Sequence, residues 1–203
     1  MERTAGYLAD LERDVRALDG SVVHLRPIRV DDDARLVAFH SRLSSYSVYL
    51  RFFGFHPTLS EAEVRRFTHV DYRDRLALVI VEEDRLRAVG RYDRQPGSEE
   101  AEVAFVVDDE VQHQGLGTLL LDELAQAAWR CGITRFVAYT LTQNSNMLHV
   151  FWRSGFPVAT DFDAGAVRVR FPIEPVPSFC AALAERETTR GVPPAPVRAR
   201  PDG

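Results

Sequence analysis

A chain of 203 residues suits one domain, or one domain with tails. Its 45% apolar content supports a real core, and its net charge of −5 gives no general nucleic-acid footprint. No stretch approaches the about 18 to 20 uninterrupted apolar residues of a membrane span, the opening MERTAGYLADLERDVRAL is too charged for a signal peptide, and Cys131 and Cys180 offer no structural disulfide, so a cytoplasmic location is expected.

Along the chain, Tyr7, Leu8, Leu11, Val15 and Leu18 are spaced as in a helix, which predicts an N-terminal helical extension over residues 1–20. SVVHLRPIR reads as a first strand and DDDARLVAFHSRL as a helix with acidic residues at its positive end. LSEAEVRRFTHV is a second helix, in which Ser60 and Glu63 make a capping box. RLALVIVEED and RLRAVGRYDRQ form a hairpin, and the mostly apolar AEVAFVV reads as a central strand. A helix through Trp129 or Arg130 follows, stopped by Gly132. ITRFVAYTL is a strand, NSNMLHVFWRSG a short helix ending at Gly155, and FPVATDF with AVRVRFPI a closing pair. Prolines gather from Pro172 onward, so a folded domain over 21–175 and a disordered tail over 176–203 are expected. Strand pairs before and after a strand–helix–strand centre predict an α/β domain built on one mixed sheet.

The turn between AEVAFVV and its helix carries the chemistry. Gly115 and Gly117 stand where Ser, Thr, Asp or Asn would cap better. A helix N-terminus presents unpaired N–H groups, and glycine lets an anion approach them without a Cβ in the way. The pattern is not a P-loop, because no Lys-Ser or Lys-Thr follows, nor a dinucleotide fingerprint, because the third glycine is missing. Taken alone, G-x-G is equally a tight packing turn.

Two landmarks together resolve this. QHQGLG (Gln112 to Gly117) is similar to the acyl-CoA pyrophosphate motif of the GNAT acyltransferase superfamily, and NSNMLHVFWRSGF (Asn144 to Phe156) is similar to that family's later Asn-helix-Gly-Phe segment. The stretches LRPIRVDDDARLVAFHSRLSSYSVYLRFF, LSEAEVRRFTHVDYRDRLALV and AEVAFVVDDEVQHQGLGTLLLDELA resemble the acetyltransferase domain of bacterial protein lysine acetyltransferases of the Pat type. The resemblance covers about Val22 to Phe171 and does not extend to the regulatory or synthetase-like domains usually fused to such a module. It implies a GNAT (acyl-CoA N-acyltransferase) fold, a mixed and mostly antiparallel sheet flanked by helices, and an acetyl-CoA-dependent N-acetyltransferase with no metal.

The resemblance assigns the catalytic base to Glu102. Strand alternation independently places Glu102, Ala104 and Val106 on one face. A carboxylate on an apolar strand is costly to bury, and burial moves such a group toward the range useful for a base. The competing reading puts Glu102 at the strand's exposed start beside Glu99 and Glu100, and Glu100 is the spare base. The resemblance further implies that backbone groups of Phe105, Val106 and Val107 hold the pantetheine arm and polarise the thioester, where the sheet splays to admit it. It places the pyrophosphate on the turn formed by Gln112, His113, Gln114, Gly115, Leu116, Gly117 and Thr118. His113 stands where Gly is frequent, and Gln114 where Arg or Lys is frequent, which removes one positive charge. Asn144 would bond the pantetheine arm, cap its helix, or do both.

Many GNAT enzymes protonate the leaving thiolate with a Tyr; the matching position here is Phe151, and His149 is expected to point elsewhere. Tyr49, Arg51, Phe52, His69 and Asp71 are candidates for the acceptor entrance, or ordinary packing and surface residues. The acceptor is a protein lysine, as on an acyl-CoA synthetase, or a small amine; a homodimer is compatible with the sequence. A non-catalytic acyl-CoA sensor is the reading from another class. All 25 cationic side chains are Arg, which reflects either codon bias or an enzyme that offers no lysine of its own to modify.

Overall fold

Backbone N–H and C=O groups of an apolar strand must find partners, and the apolar runs of this chain satisfy one another in an eight-stranded sheet. The computed structural model describes residues 6–17, 19–163 and 165–191. In chain order the elements are β1 (Arg13–Arg16), β2 (Val22–Pro27), α1 (Asp33–Arg42), α2 (Ser45–Phe52), α3 (Glu61–Thr68), β3 (Arg75–Glu82), β4 (Arg85–Arg94), β5 (Glu100–Val107), α4 (Leu116–Arg130), β6 (Arg135–Thr140), α5 (Ser145–Trp152), β7 (Ala159–Asp163), β8 (Ala166–Pro172) and α6 (Pro177–Thr189). The strand order is β1-β2-β3-β4-β5-β6-β8-β7. Every adjacent pair is antiparallel except β5–β6. This is the expected mixed, mostly antiparallel sheet flanked by helices.

The β4–β5 register fixes which side chains share a face. Glu102 lies opposite Asp93, Ala104 opposite Arg91, and Val106 opposite Val89. Leu36 and Phe39 of α1 and Phe52 of α2 cover this face, bordering a small hollow with Val89 and Arg91. Phe105 faces the other way, toward α4 and Phe151 of α5, whose ring is centred 6.1 Å from its own. The sheet is thus the middle layer of a sandwich in which both helical layers bury apolar stripes.

Two expectations at the ends of the chain are corrected. The N-terminal helix is replaced by a 3-10 turn at Ala9–Leu11 and by β1, which pairs with β2. A helix this short is marginal by itself, whereas the open edge of β2 supplies backbone partners. Leu11 and Val15 are buried all the same. Residues 1–5 and 18 of the expected helix lie outside the described residues. At the other end, α6 occupies what was expected to be tail. Pro177 opens it, where a missing N–H does no harm, and Phe179 and Leu183 bury one face. Residues 192–203 of the expected tail lie outside the described residues.

Glu12 pins the N-terminal segment. It accepts hydrogen bonds from the Tyr7 hydroxyl (2.7 Å) and Arg29 Nη2 (2.7 Å) and lies 3.3 Å from His24 Nε2. Burial pushes its carboxyl up, but the hydrogen bonds from Tyr7, Arg29 and His24 outweigh that and hold it at about 2, below its ordinary 4.5. A depressed carboxyl stabilises the fold above the unfolded value and loses that contribution as pH falls. With 26% of the side chain exposed, solvent screening leaves a contribution of about 1 kcal/mol. Denaturant titrations of wild type and Glu12→Gln should therefore converge as pH falls from 4.5 toward 2; parallel curves would show that Glu12 contributes nothing.

Candidate active site

β5 and β6 run side by side only at Glu100–Arg135, Ala101–Phe136 and Glu102–Val137. Beyond that point β5 remains paired with β4 as far as Val107, and β6 with β8 as far as Thr140. The two strands therefore part, as the resemblance implied. The wedge opens a cleft of about 540 Å³. A strand left without a neighbour on one edge offers its N–H and C=O groups to whatever enters.

The turn after β5 closes one end. Gly115 adopts φ +76°, a left-handed conformation that glycine tolerates, and α4 begins immediately after it with no side-chain cap and no acidic residue in its first turn. The first helical bond runs from Leu119 N–H to Gly115 C=O (3.0 Å). The N–H groups of Leu116, Gly117 and Thr118 thus have no intrahelical acceptor and carry the helix's partial positive charge. His113 is also left-handed, at φ +65°. That explains why Gly is frequent at this position in the resembling family: a side chain there carries strain.

A polar latch holds the turn. Asp109 accepts hydrogen bonds from Ser44 N–H (2.9 Å), Ser44 Oγ (2.7 Å) and Ser47 Oγ (2.6 Å), joining the start of α2 to the end of β5. Burial pulls the Asp109 carboxyl up, but these bonds outweigh it and leave it below the usual carboxylate range. Gln112 Nε2 donates to Ser47 Oγ (3.3 Å) and to the Val107 carbonyl (3.4 Å). The Gln112 side chain therefore braces the turn. Sequence reasoning missed Asp109 and Ser47, because their partnership spans about sixty residues and leaves no local pattern.

Glu102, Phe105, Val106, Val107, Gln112, His113, Gly115, Leu116, Gly117, Thr118 and Asn144 all line the cleft, and Gln114 does not. Glu102 stands at the point where the strands part. Of the two readings of its setting the structure shows the exposed one, not the buried one, since the cleft opens over its face of β5. Asn144 caps α5, with Oδ1 accepting from Met147 N–H (3.1 Å), which leaves its amide N–H₂ for another partner. Phe151 is buried against Phe105 and Phe171 and reaches the wall. His149, expected to point away, lines the cleft as well.

Of the acceptor-side candidates, Arg51 lines the cleft, joined there by Tyr46, Leu50 and Phe53. Phe52 faces the neighbouring hollow instead. Asp71 organises the turn before β3, accepting from the N–H groups of Arg73, Asp74 and Arg75 at 2.7 to 2.9 Å. His69 Nδ1 lies 2.9 Å from Thr68 Oγ1 at the end of α3. These two have structural work to do. Thr140 also escaped the sequence reading: it lines the cleft, is 1% exposed, and its hydroxyl has no hydrogen-bond partner among the described residues.

A splayed sheet with an uncapped helix N-terminus at its mouth matches the fold that the resemblance implied, and comparison with known proteins agrees. The family model described as acetyltransferase (GNAT) domain matches residues 23–157. The chain belongs to the GNAT acetyltransferase family. It is 31% identical over 179 residues to the acetyltransferase Pat of Mycolicibacterium smegmatis, covering 86% of this chain and 52% of that protein. This chain thus spans about half the length of that relative. The crystal structure of the GNAT domain of S. lividans PAT superposes with a TM-score of 0.77 at 40% identity, covering 82% of this chain and 99% of that one. A putative acetyltransferase of Salmonella typhimurium, solved with its cofactor acetyl-CoA, shares the fold at TM-score 0.62 and 16% identity, covering 76% of this chain and 96% of that one. No helix among the described residues is long and apolar enough to cross a membrane.

Proposed function

We propose that this chain is an acetyl-CoA-dependent N-acetyltransferase that acetylates a lysine side chain of a protein such as an acyl-CoA synthetase, by direct attack of the amine, in the cytoplasm. The observation that carries the reading is the parting of β5 from β6 at Glu102, which opens one cleft from the free N–H groups of α4 to a carboxylate. The residues fit the co-substrate. The N–H groups around Gly115 to Thr118 suit a pyrophosphate. The freed edge of β5 at Phe105, Val106 and Val107 suits an amide-bearing arm, and Asn144 can donate to the same arm. Bound acetyl-CoA supplies an acyl group activated as a thioester. Backbone N–H groups of β5 polarise its carbonyl. Glu102 accepts the proton of the attacking amine, whose ordinary value of about 10.4 makes it cationic at neutral pH. As the C–N bond forms the C–S bond breaks, and the sulfur leaves with its charge or takes a proton from water, since Phe151 has none to give.

The orphan hydroxyl of Thr140 is a further mark of the fit. A buried hydroxyl without a partner is costly, so the fold gains nothing from it. Thr140→Val should leave the melting temperature unchanged or raised, while weakening acetyl-CoA binding about fivefold, the equivalent of one hydrogen bond. Calorimetric titration beside a thermal melt reads both. Unchanged affinity would remove Thr140 from the site.

Phe151 favours one other reading, a sensor that binds acyl-CoA without turnover. Intact-mass analysis of a purified acyl-CoA synthetase incubated with this protein and acetyl-CoA separates the two. A gain of one acetyl group supports the proposal. No gain on the synthetase or on small amines, with acetyl-CoA binding intact, would leave the sensor.

A further inference from the structure

The face of the sheet that carries Glu102 is overloaded with guanidinium groups. Asp93, directly across from Glu102, is shared by Arg75 (3.0 Å), Arg91 (3.1 Å) and Arg66 (3.8 Å). Arg91 is 6% exposed, its guanidinium lies 4.3 Å from the centre of the Phe67 ring, and its Nη2 is buried without a hydrogen-bond partner among the described residues. Arg51 reaches over the same face from α2. Its guanidinium lies 5.1 Å from the centre of the Phe52 ring and, among the described residues, makes no hydrogen bond or ion pair. Four cations thus gather around Asp93 and Glu102, with Asp71 acting on Arg75 alone from the edge, and one of these carboxylates, Glu102, is committed to taking up a proton in the reading above.

Burial first, and then repulsion from Arg91, lower the Arg51 guanidinium to about 10 against the pull of Glu102 and Asp93, so it remains charged at neutral pH. A half-buried guanidinium with no hydrogen-bonded counter-ion is costly to the fold. Arg51 and Arg91 both border the hollow of about 40 Å³, and Arg51, Ala104 and Val106 form walls of the hollow and of the cleft alike. The hollow is therefore a side chamber beside Glu102. Its other walls are apolar except for His40, whose Nε2 lies 2.8 Å from the His56 carbonyl, and its volume is near that of one or two waters. A small planar anion fits that space, and a guanidinium fork is matched to a carboxylate.

We propose that Arg51 and the free Nη2 of Arg91 form a subsite for a carboxylate carried by the amine acceptor near its reactive nitrogen. The inference rests on the acetyltransferase reading and narrows its substrate class. The carboxylate comes from an acidic side chain beside the target lysine, or from the acceptor's own α-carboxylate if the acceptor is a small molecule. In either case it completes the charge balance that the protein leaves open, and it selects against amines without an anionic neighbour.

Product-side binding tests this without requiring turnover. With the protein saturated by coenzyme A, calorimetry would compare Nε-acetyl-lysine with its carboxamide, and an acetyl-lysine peptide bearing a neighbouring Asp with its Asn counterpart. In at least one pair the carboxylate form is expected to bind about tenfold tighter, and that pair identifies the source. Arg51→Met is expected to erase the preference. Equal affinities within both pairs, no binding by any of the four at millimolar concentration, or a preference that survives in Arg51→Met would each overturn the subsite. The wild-type comparison stands even if the variant folds poorly. Acetyl transfer to the same acceptors is measured in parallel: carboxylate preference without transfer would keep the subsite and defeat the enzyme reading.

Discussion

Glu102→Gln is expected to lower kcat by about 10² to 10⁴, the range of a lost general base, with acetyl-CoA affinity within about threefold of wild type. The separation of effects follows from position. Glu102 is the last residue of β5 paired with β6, at the end of the cleft remote from the glycine turn. Among the described residues its carboxylate makes no hydrogen bond or ion pair and acts on Arg51 only through its charge, so the substitution removes no direct contact of the fold. Glu100 cannot readily replace it. That residue lies earlier on the paired stretch of β5, its carboxylate is 3.9 Å from Arg135, and it is not on the cleft wall. Steady-state kinetics with a saturating acceptor, beside a calorimetric titration of acetyl-CoA, gives both numbers. A fall in affinity with kcat unchanged would make Glu102 a binding residue and leave the base to water.

Gly155→Ala is expected to cost the fold about 3 kcal/mol or more, combining backbone strain with overpacking, and to lower the melting temperature by roughly 6 to 12 °C. Gly155 has φ +92°, and a Cβ there would lie 2.7 Å from the Ser178 carbonyl oxygen, 2.8 Å from Phe179 Cα and 3.0 Å from Ala182 Cβ. Two of those atoms are backbone of α6, so the helix itself must move. Its docking contacts then fail together: the Ser178 hydroxyl bond to the Gly155 carbonyl (2.7 Å), the Phe156–Phe179 stack at 4.1 Å, and the Arg186 pair with Asp122 (2.7 Å). Burial already pushes the Asp122 carboxyl up to about 6 against the pull of Arg186 and Arg190. Losing Arg186 strands it further. Phe156 also stacks on Phe171, which contacts Phe151 on the cleft wall, so the damage extends to the site. A melting temperature within 2 °C of wild type would show that α6 yields without consequence.

These two residues show what the sequence made legible. Gly155 and the Gly115 turn were readable because glycine in a left-handed turn has few substitutes, so the residue type itself reports the conformation. Asn144 announced its cap in the same way. The two faces of β5 followed from a period of two. Whether Glu102 was buried did not follow, because that depends on where β6 turns away, and the departure of β6 is written in its pairing with β8. The N-terminal segment shows the same limit. Tyr7, Leu8, Leu11 and Val15 have helical spacing, yet the edge of β2 recruits Arg13–Arg16 as a strand. The tail was misread for a different reason: its prolines masked Phe179, Leu183 and Arg186, which lie on one face of α6. The latch of Ser44, Ser47, Asp109 and Gln112 and the placement of Arg51 on the cleft wall arise from tertiary contacts alone.

The most direct measurement is a crystal structure of this protein with acetyl-CoA. The account requires the pyrophosphate against the N–H groups between Gly115 and Thr118, the pantetheine arm along the freed edge of β5, and the thioester within reach of Glu102. Acetyl-CoA bound with its pyrophosphate away from the start of α4, or with its acyl group remote from Glu102, would contradict the assignment of this cleft as the site of transfer.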